Sequence, residues 1–251
     1  MKLQGTFQLK DNIYQFGDTS EGYDTTVYDI QSGFISELKI MSLLEFLRIG
    51  HVLKIVKPKN RVLDVGCGLG VMGYALYTNR YSVEYVGMDI SLKNLNKCLM
   101  KKWGNKKPTL IHKDASKGIP FEDNTFDNIL VIQVIEHMKY ENAHSLLKEC
   151  MRVLKPKGMM ILTSENNTFT EGGGLEFHIH EFTYDGLVKI VADTGGVIVN
   201  EYGLNFAKSI RDVPDSKIKD FLVSRMAKLI AGISLPKESK YVVLDVIKET
   251  I

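Results

Sequence analysis

Apolar and polar positions follow two different periods along the chain, which indicates that strands and helices alternate. Continuous apolar runs typical of buried strands cover residues 61–65, 83–89, 109–112, 126–132, 159–163 and 197–202. Apolar residues spaced three and four apart, typical of amphipathic helices, cover residues 71–79, 91–103, 141–154 and 184–194. Because parallel strands need helical crossovers, this order predicts an α/β fold with a doubly wound, mostly parallel sheet and helices on both faces.

Further apolar segments lie on either side of this alternating region. Residues 34–56 have helical periodicity, and residues 240–249 read as a last, antiparallel strand, which gives about seven strands in all. We therefore expect one domain, in which an N-terminal helical and lid segment (1–57) precedes a ligand-binding core (58–203). An insertion and the last strand complete it (204–251), and the pattern leaves the role of 205–238 undecided.

Composition and charge exclude several classes of protein. The 251 residues have a formal net charge of +2, and no apolar run approaches the roughly 20 residues that span a bilayer. The N-terminus lacks the apolar stretch of a secretory signal, and the three cysteines are not spaced as a metal site or as a disulfide framework. We therefore expect free thiols, a cytoplasmic location and no membrane partner.

The first predicted strand ends in a glycine loop, RVLDVGCGLG, at residues 61–70. Gly66, Gly68 and Gly70 allow a close backbone approach to a ligand, but a valine stands where a dinucleotide loop has its third glycine. Asp64 would repel a diphosphate. The loop therefore favours a ligand with a cationic amino-acid end, and S-adenosylmethionine has this chemistry. The alternatives are that Asp64 pins the turn and that the glycines serve only a tight turn.

The loop and the segments after it resemble the class I S-adenosylmethionine-dependent methyltransferases, which have a Rossmann-like fold. The motifs are LDVGCGLG, VGMDIS (86–91), the stretch from 113 to 138, and LLKECMRVLKPKGMMILTSEN (146–166). The resemblance covers roughly 58–203 and implies that Asp89 accepts the ribose hydroxyls, although Asp89 could instead only precede the next helix. It also implies a cofactor-binding set of Asp64, Gly66, Cys67, Gly68, Gly70, Asp89, Ile90, Asp114, Ala115 and Gln133.

Candidate catalytic residues follow the fourth and fifth strands of this predicted core. The resemblance places Glu136 and His137 on the acceptor side, and a neutral imidazole can take the proton of a hydroxyl acceptor near pH 7. His178 and His180 come after the fifth strand and would point the same way in extended chain. Together these four residues could hold a divalent cation, but H-x-H alone is a weak metal signature and histidines also serve as hydrogen bonders in loops.

The sequence leaves several functions open. The first is transfer of a methyl group to a hydroxyl of a small molecule or sugar, and the second is transfer to a small amine. A nucleic-acid or protein methyltransferase is the third, suggested by the lysine-rich helix at 93–107 but disfavoured because IQVI replaces the NPPY-type tetrapeptide. A nicotinamide oxidoreductase and a catalytically silent binding module complete the alternatives. The sequence does not reveal the oligomeric state.

Overall fold

The fold was derived from a computed structural model of the chain. It describes residues 2–17, 41–79, 82–104, 107–167, 179–180, 182–204, 236–239 and 241–249. Several predictions lie outside these residues: residues 18–40 of the predicted N-terminal helical and lid segment, the candidate site residue His178, and nearly all of 205–238.

The described residues form one mixed sheet of nine strands. The spatial order is β1-β2-β5-β4-β3-β6-β7-β9-β8, and the strands from β5 to β7 run parallel. The strand bounds are β1 Phe7–Lys10, β2 Ile13–Phe16, β3 Arg61–Val65, β4 Glu84–Asp89, β5 Thr109–His112, β6 Phe126–Ile132, β7 Leu154–Glu165, β8 Gly196–Leu204 and β9 Tyr241–Lys248.

Helices cover both faces of the sheet. The α-helices of the described part are α1 Met41–Ile55, α2 Val71–Asn79, α3 Leu92–Leu99, α4 Tyr140–Val153 and α5 Tyr184–Asp193. Their apolar stripes build one core between the sheet and α4 and α5, and a second core between the sheet and α1, α2 and α3. Side-chain caps fix two helix starts, since Ser91 accepts from Asn94 N and Thr183 accepts from Gly186 N. The predicted doubly wound α/β fold is confirmed.

The sheet has two more strands than the sequence analysis predicted. Strands β1 and β2 form a hairpin, and β2 pairs in parallel with β5, so the hairpin extends the sheet at that edge. The turn residues Asp11 and Asn12 both have positive φ, 51° and 63°, as two-residue hairpin turns require. The hairpin was missed because its strands are short and β1 is exposed along its whole length.

The site lies where the direction of strand order reverses, between β3 and β6. Both strands are parallel neighbours and end at the same edge of the sheet, so the loops that follow them diverge and leave a crevice. The glycine loop follows β3 and the segment after Ile132 follows β6, so both lie at this edge. In the described residues, no helix is both long and apolar enough to cross a membrane.

Candidate cofactor and acceptor site

The glycine loop leaves β3 in a left-handed conformation at three positions. Gly66, Gly68 and Gly70 have φ of 66°, 51° and 69°, values that residues with a Cβ rarely adopt. Met88 O accepts hydrogen bonds from Gly66 N at 2.8 Å and Cys67 N at 3.1 Å, so the loop is tied to the end of β4. The loop is therefore a fixed feature of the sheet edge, and α2 begins directly after it.

The three glycines differ in what surrounds them. A Cβ on Gly66 would lie 2.7 Å from Val134 Cγ2, and a Cβ on Gly70 would lie 2.3 Å from Cys98 Sγ, so these two glycines allow close internal packing. At Gly68, by contrast, a Cβ would have no heavy atom of the described residues within 4 Å. Gly68 thus borders open space at the crevice, which fits a loop that receives a ligand.

Asp89 at the end of β4 connects the glycine loop to α3. One carboxylate oxygen accepts from Gly68 N at 2.7 Å, and the other accepts from Ser91 N at 2.8 Å. Each oxygen can accept a further hydrogen bond. Burial raises the pKa of Asp89, and the backbone donors lower it. Asp89 therefore organises the turn before α3, as the alternative interpretation of its position before that helix proposed. Its ribose-binding role stays a prediction.

Asp64 is only 3% exposed, and its carboxyl accepts a hydrogen bond from the Tyr85 hydroxyl at 2.7 Å. Burial raises its pKa to about 7, Tyr85 lowers it and the nearby Asp89 raises it. The sequence analysis treated Asp64 as a full negative charge facing a ligand. In the structure this carboxyl is partly protonated near pH 7 and held from inside, so its repulsion of a phosphate is weaker than that argument assumed.

Three further residues of the predicted cofactor-binding set, Ile90, Asp114 and Ala115, follow β4 and β5. Asp114 is buried and caps the short 3-10 turn Ala115–Lys117, accepting from Ser116 N at 3.0 Å and Ser116 Oγ at 2.7 Å. Ile90 O lies 2.9 Å from His112 Nε2. Since β4 and β5 are parallel neighbours, these residues lie at the same sheet edge as the glycine loop. Their contact with the cofactor stays a prediction.

Gln133 directly follows β6 and has a φ of 55°, although it is not a glycine. Its backbone N donates to Thr163 O at 3.0 Å, and its side-chain amide lies 3.3 Å from Thr163 Oγ1. A left-handed non-glycine residue persists only where its surroundings hold it, and such residues concentrate at functional sites. Thr163 therefore holds the turn that carries Val134 onto Gly66.

Glu136 lies in the 3-10 turn Ile135–His137 and is 1% exposed. Its Oε2 accepts from Ser164 Oγ at 3.3 Å, and its buried Oε1 has no hydrogen-bond partner among the described residues. Burial raises its pKa to about 8; Glu165 raises it further, and Arg48 and Ser164 lower it. A buried carboxyl with an unused oxygen can accept a proton or a hydrogen bond from a bound molecule.

The predicted histidines are brought together only in part. Glu136 O accepts hydrogen bonds from Ile179 N at 3.0 Å and His180 N at 3.2 Å, so the chain after β7 returns to the 3-10 turn. The His180 ring packs edge-on against Phe182 and Tyr140. His137 is half-buried in the same turn. The backbone at His180 thus lies beside the turn that carries Glu136 and His137, and the catalytic roles of these residues stay predictions.

The possible metal site gains no support. Within the described part of the chain, no group of three or more histidine, cysteine, aspartate or glutamate side chains could hold a metal ion. His178, a proposed ligand, lies outside that part. All three cysteines are free thiols, as predicted.

Sequence reasoning missed two buried partners of the predicted residues. Tyr85 on β4 binds Asp64, and Thr163 on β7 binds Gln133. An aromatic or β-branched residue on an apolar strand reads as core, so no local signal separates these two from their neighbours.

Comparisons with known proteins match the core of this chain to methyltransferases. Residues 63–162 match the family described as methyltransferase domain. A phosphoethanolamine N-methyltransferase of Plasmodium falciparum is 33% identical over 123 residues, which are 49% of this chain and 45% of that protein. The sterol 24-C-methyltransferase erg6 of Schizosaccharomyces pombe is 35% identical over 156 residues, 61% of this chain and 39% of that protein. The chain thus spans less than half the length of these two relatives.

Among solved structures, a SAM-dependent methyltransferase from Archaeoglobus fulgidus superposes with a TM-score of 0.59. The two chains are 19% identical, and the match covers 82% of this chain and 93% of the other. At this identity the likeness shows a shared fold.

Proposed function

We propose that this chain, whose core is a class I S-adenosylmethionine-dependent methyltransferase domain, is an enzyme that methylates a hydroxyl of a small molecule or sugar. The donor is S-adenosylmethionine, and the product is S-adenosylhomocysteine. The main support for this donor is the open space at Gly68, which lies beside Asp89 at the point where the strand order reverses. The cofactor supplies an electrophilic methyl group on a sulfonium.

The chain's own residues have separate tasks in this proposal. Gly68 leaves room for the cofactor, Asp89 accepts its ribose hydroxyls, and Asp64 faces its amino-acid end. The turn at Gln133 faces the reacting carbon. Methyl transfer is an in-line displacement, so positioning of donor and acceptor supplies much of the rate. No covalent intermediate on the protein is needed.

Glu136 is the structure-based candidate for the group that receives the acceptor's proton. Its pKa is raised to about 8, which lies close to the pH at which a general base works best. Its Oε1 is buried and without a partner among the described residues. The ionised form of this carboxyl is the one that accepts the proton of a hydroxyl acceptor. His137 and His180 stay secondary candidates because both lie beside Glu136.

Transfer to an amine is the second candidate. Glu165 lies close enough to Glu136 to raise its pKa, and two neighbouring carboxyls would attract an ammonium group. One relative is named an N-methyltransferase and another a C-methyltransferase, so the relatives do not discriminate between hydroxyl and amine acceptors. Nucleic-acid and protein acceptors stay the weakest alternatives. We also propose a cytoplasmic location, which the three free thiols support.

The first test is the thermal stability of the protein with S-adenosylhomocysteine. Ligand at about 100 times its Kd adds roughly 2.7 kcal/mol to the free energy of unfolding. NADH at the same concentration serves as the control and should add nothing. Stabilisation by NADH alone would refute the proposed donor. Incubation with labelled S-adenosylmethionine and a panel of sugars, hydroxylated metabolites and amines then separates hydroxyl from amine acceptors.

A further inference from the structure

We infer that Tyr85 is a positioning residue for the cofactor, which acts through its hydrogen bond to Asp64 and sets the pH range over which the cofactor binds tightly. The inference deepens the proposed function and rests on it, because Asp64 must face the cofactor's cationic end. Tyr85 itself lies beneath the glycine loop.

The first observation is the contact itself. The Tyr85 hydroxyl donates to Asp64 Oδ2 at 2.7 Å, and both side chains are buried, with exposures of 2% and 3%. Asp64 and Tyr85 lie on the adjacent parallel strands β3 and β4, just before the glycine loop and the Asp89 carboxylate. A hydrogen bond to an ionised carboxylate in a dry environment is among the stronger interactions of its kind.

The second observation is that the surroundings hold the Tyr85 ring in place. A Cβ on Gly73 of α2 would lie 2.2 Å from Tyr85 Cζ, so the ring fits only because this helical position is a glycine. The ring also stacks on Trp103 at 5.8 Å, and Trp103 Nε1 donates to Cys98 O at 2.8 Å. The hydroxyl therefore cannot swing away from Asp64 without disturbing α2 or Trp103.

The groups that face Asp64 determine whether its pKa is raised or lowered. Asp89 on the same strand as Tyr85 makes ionisation of Asp64 harder, and the Tyr85 hydroxyl makes it easier. Cys67 in the loop and Cys98 on α3 carry thiols whose pKa values are raised, so both stay neutral near pH 7. Lys101 lowers the pKa of Cys98 but does not outweigh its burial. Of the two described neighbours that shift the pKa of Asp64, Asp89 opposes its charged form and Tyr85 favours it, and the charged form attracts a cation.

The test is the pH dependence of S-adenosylhomocysteine binding by titration calorimetry, from pH 5.5 to 9. Wild type should bind more tightly as Asp64 ionises. Tyr85→Phe should move this midpoint up by about one to two pH units, since a hydrogen bond to a charged group has that strength. At pH 7 a shift of one unit corresponds to about fivefold weaker binding, which should recover near pH 9.

Tyr77→Phe is the matched control. Its ring is also buried and contacts Tyr85 and Trp103, but its hydroxyl bonds Lys107 O at 3.4 Å. This variant should keep the wild-type pH profile. In an Asp64→Asn background, adding Tyr85→Phe should change the affinity by less than about twofold, because the carboxylate through which Tyr85 acts is gone.

A Tyr85→Phe profile that superimposes on wild type would overturn the inference. So would an equal shift in Tyr77→Phe, since that would indicate a general packing effect. If Tyr85→Phe does not fold, the Asp64→Asn variant decides. S-adenosylhomocysteine binding that still depends on pH between 6 and 8 in Asp64→Asn would overturn the inference. Absence of S-adenosylhomocysteine binding in wild type at every pH would instead refute the proposed function.

Discussion

Replacement of Gly68 by alanine separates ligand binding from folding at the glycine loop. Gly68 has a φ of 51°, close to the left-handed minimum, so an alanine there costs about 1–2 kcal/mol of conformational energy. The added methyl meets no described heavy atom within 4 Å, so it should add no clash within the protein. It would instead occupy the space that we assign to the cofactor.

We therefore expect Gly68→Ala to lose about 1–2 kcal/mol in its free energy of unfolding. Its affinity for S-adenosylhomocysteine should fall at least about tenfold, which is 1.4 kcal/mol. Urea denaturation measures the first quantity, and titration calorimetry measures the second. The two losses have different origins, strain in the backbone and exclusion of the ligand.

Two other glycines provide controls for this experiment. Gly195 has a φ of 82° and the same open space, but it lies in the turn between α5 and β8, so Gly195→Ala should lose similar stability and keep its affinity. Gly70→Ala adds a clash with Cys98 Sγ, which should cost about 1–3 kcal/mol more in stability. If Gly68→Ala binds S-adenosylhomocysteine as tightly as Gly195→Ala, the assignment of this space to the cofactor is wrong.

Three further predictions concern the acceptor side, the turn after β6 and the core. Between about pH 4.5 and 8 the Glu136 carboxyl keeps its proton in the folded chain but loses it in the unfolded chain, so the free energy of unfolding falls as the pH rises through this range. Glu136→Gln should flatten this pH dependence when the free energy of unfolding is measured by urea denaturation. An unchanged slope would contradict the raised pKa. Thr163→Val removes a hydroxyl that accepts from Gln133 and should weaken S-adenosylhomocysteine binding about fivefold, the worth of one neutral hydrogen bond. Thr163→Ser should restore the affinity, and failure to do so would show that the methyl group matters instead. Arg152→Met removes donors to the backbone oxygens of Phe121 and Ile119 and should lower the free energy of unfolding by about 1–3 kcal/mol without changing that affinity, measured by the same two methods.

The sequence by itself determined the alternation of strands and helices in the core and the place of the glycine loop. Both depend on local signals, since the apolar period distinguishes strand from helix and the run from Gly66 to Gly70 specifies a sharp turn after β3. Capping is local in the same sense, since Ser91 and Thr183 each accept a hydrogen bond from the backbone N three residues further on. The hairpin Phe7–Phe16 was missed because its strands are too short and too polar for that signal.

Tertiary structure alone decided the environment of the charged and strained residues. Tyr85 lies 21 residues from Asp64, and Thr163 lies 30 residues from Gln133, so only the strand register brings each pair together. Burial then moves the pKa of Asp64 to about 7, and the same carboxylate would stay fully ionised in water. A sequence shows which side chains carry charge, whereas desolvation and neighbours across the sheet determine how much of that charge survives in the folded protein.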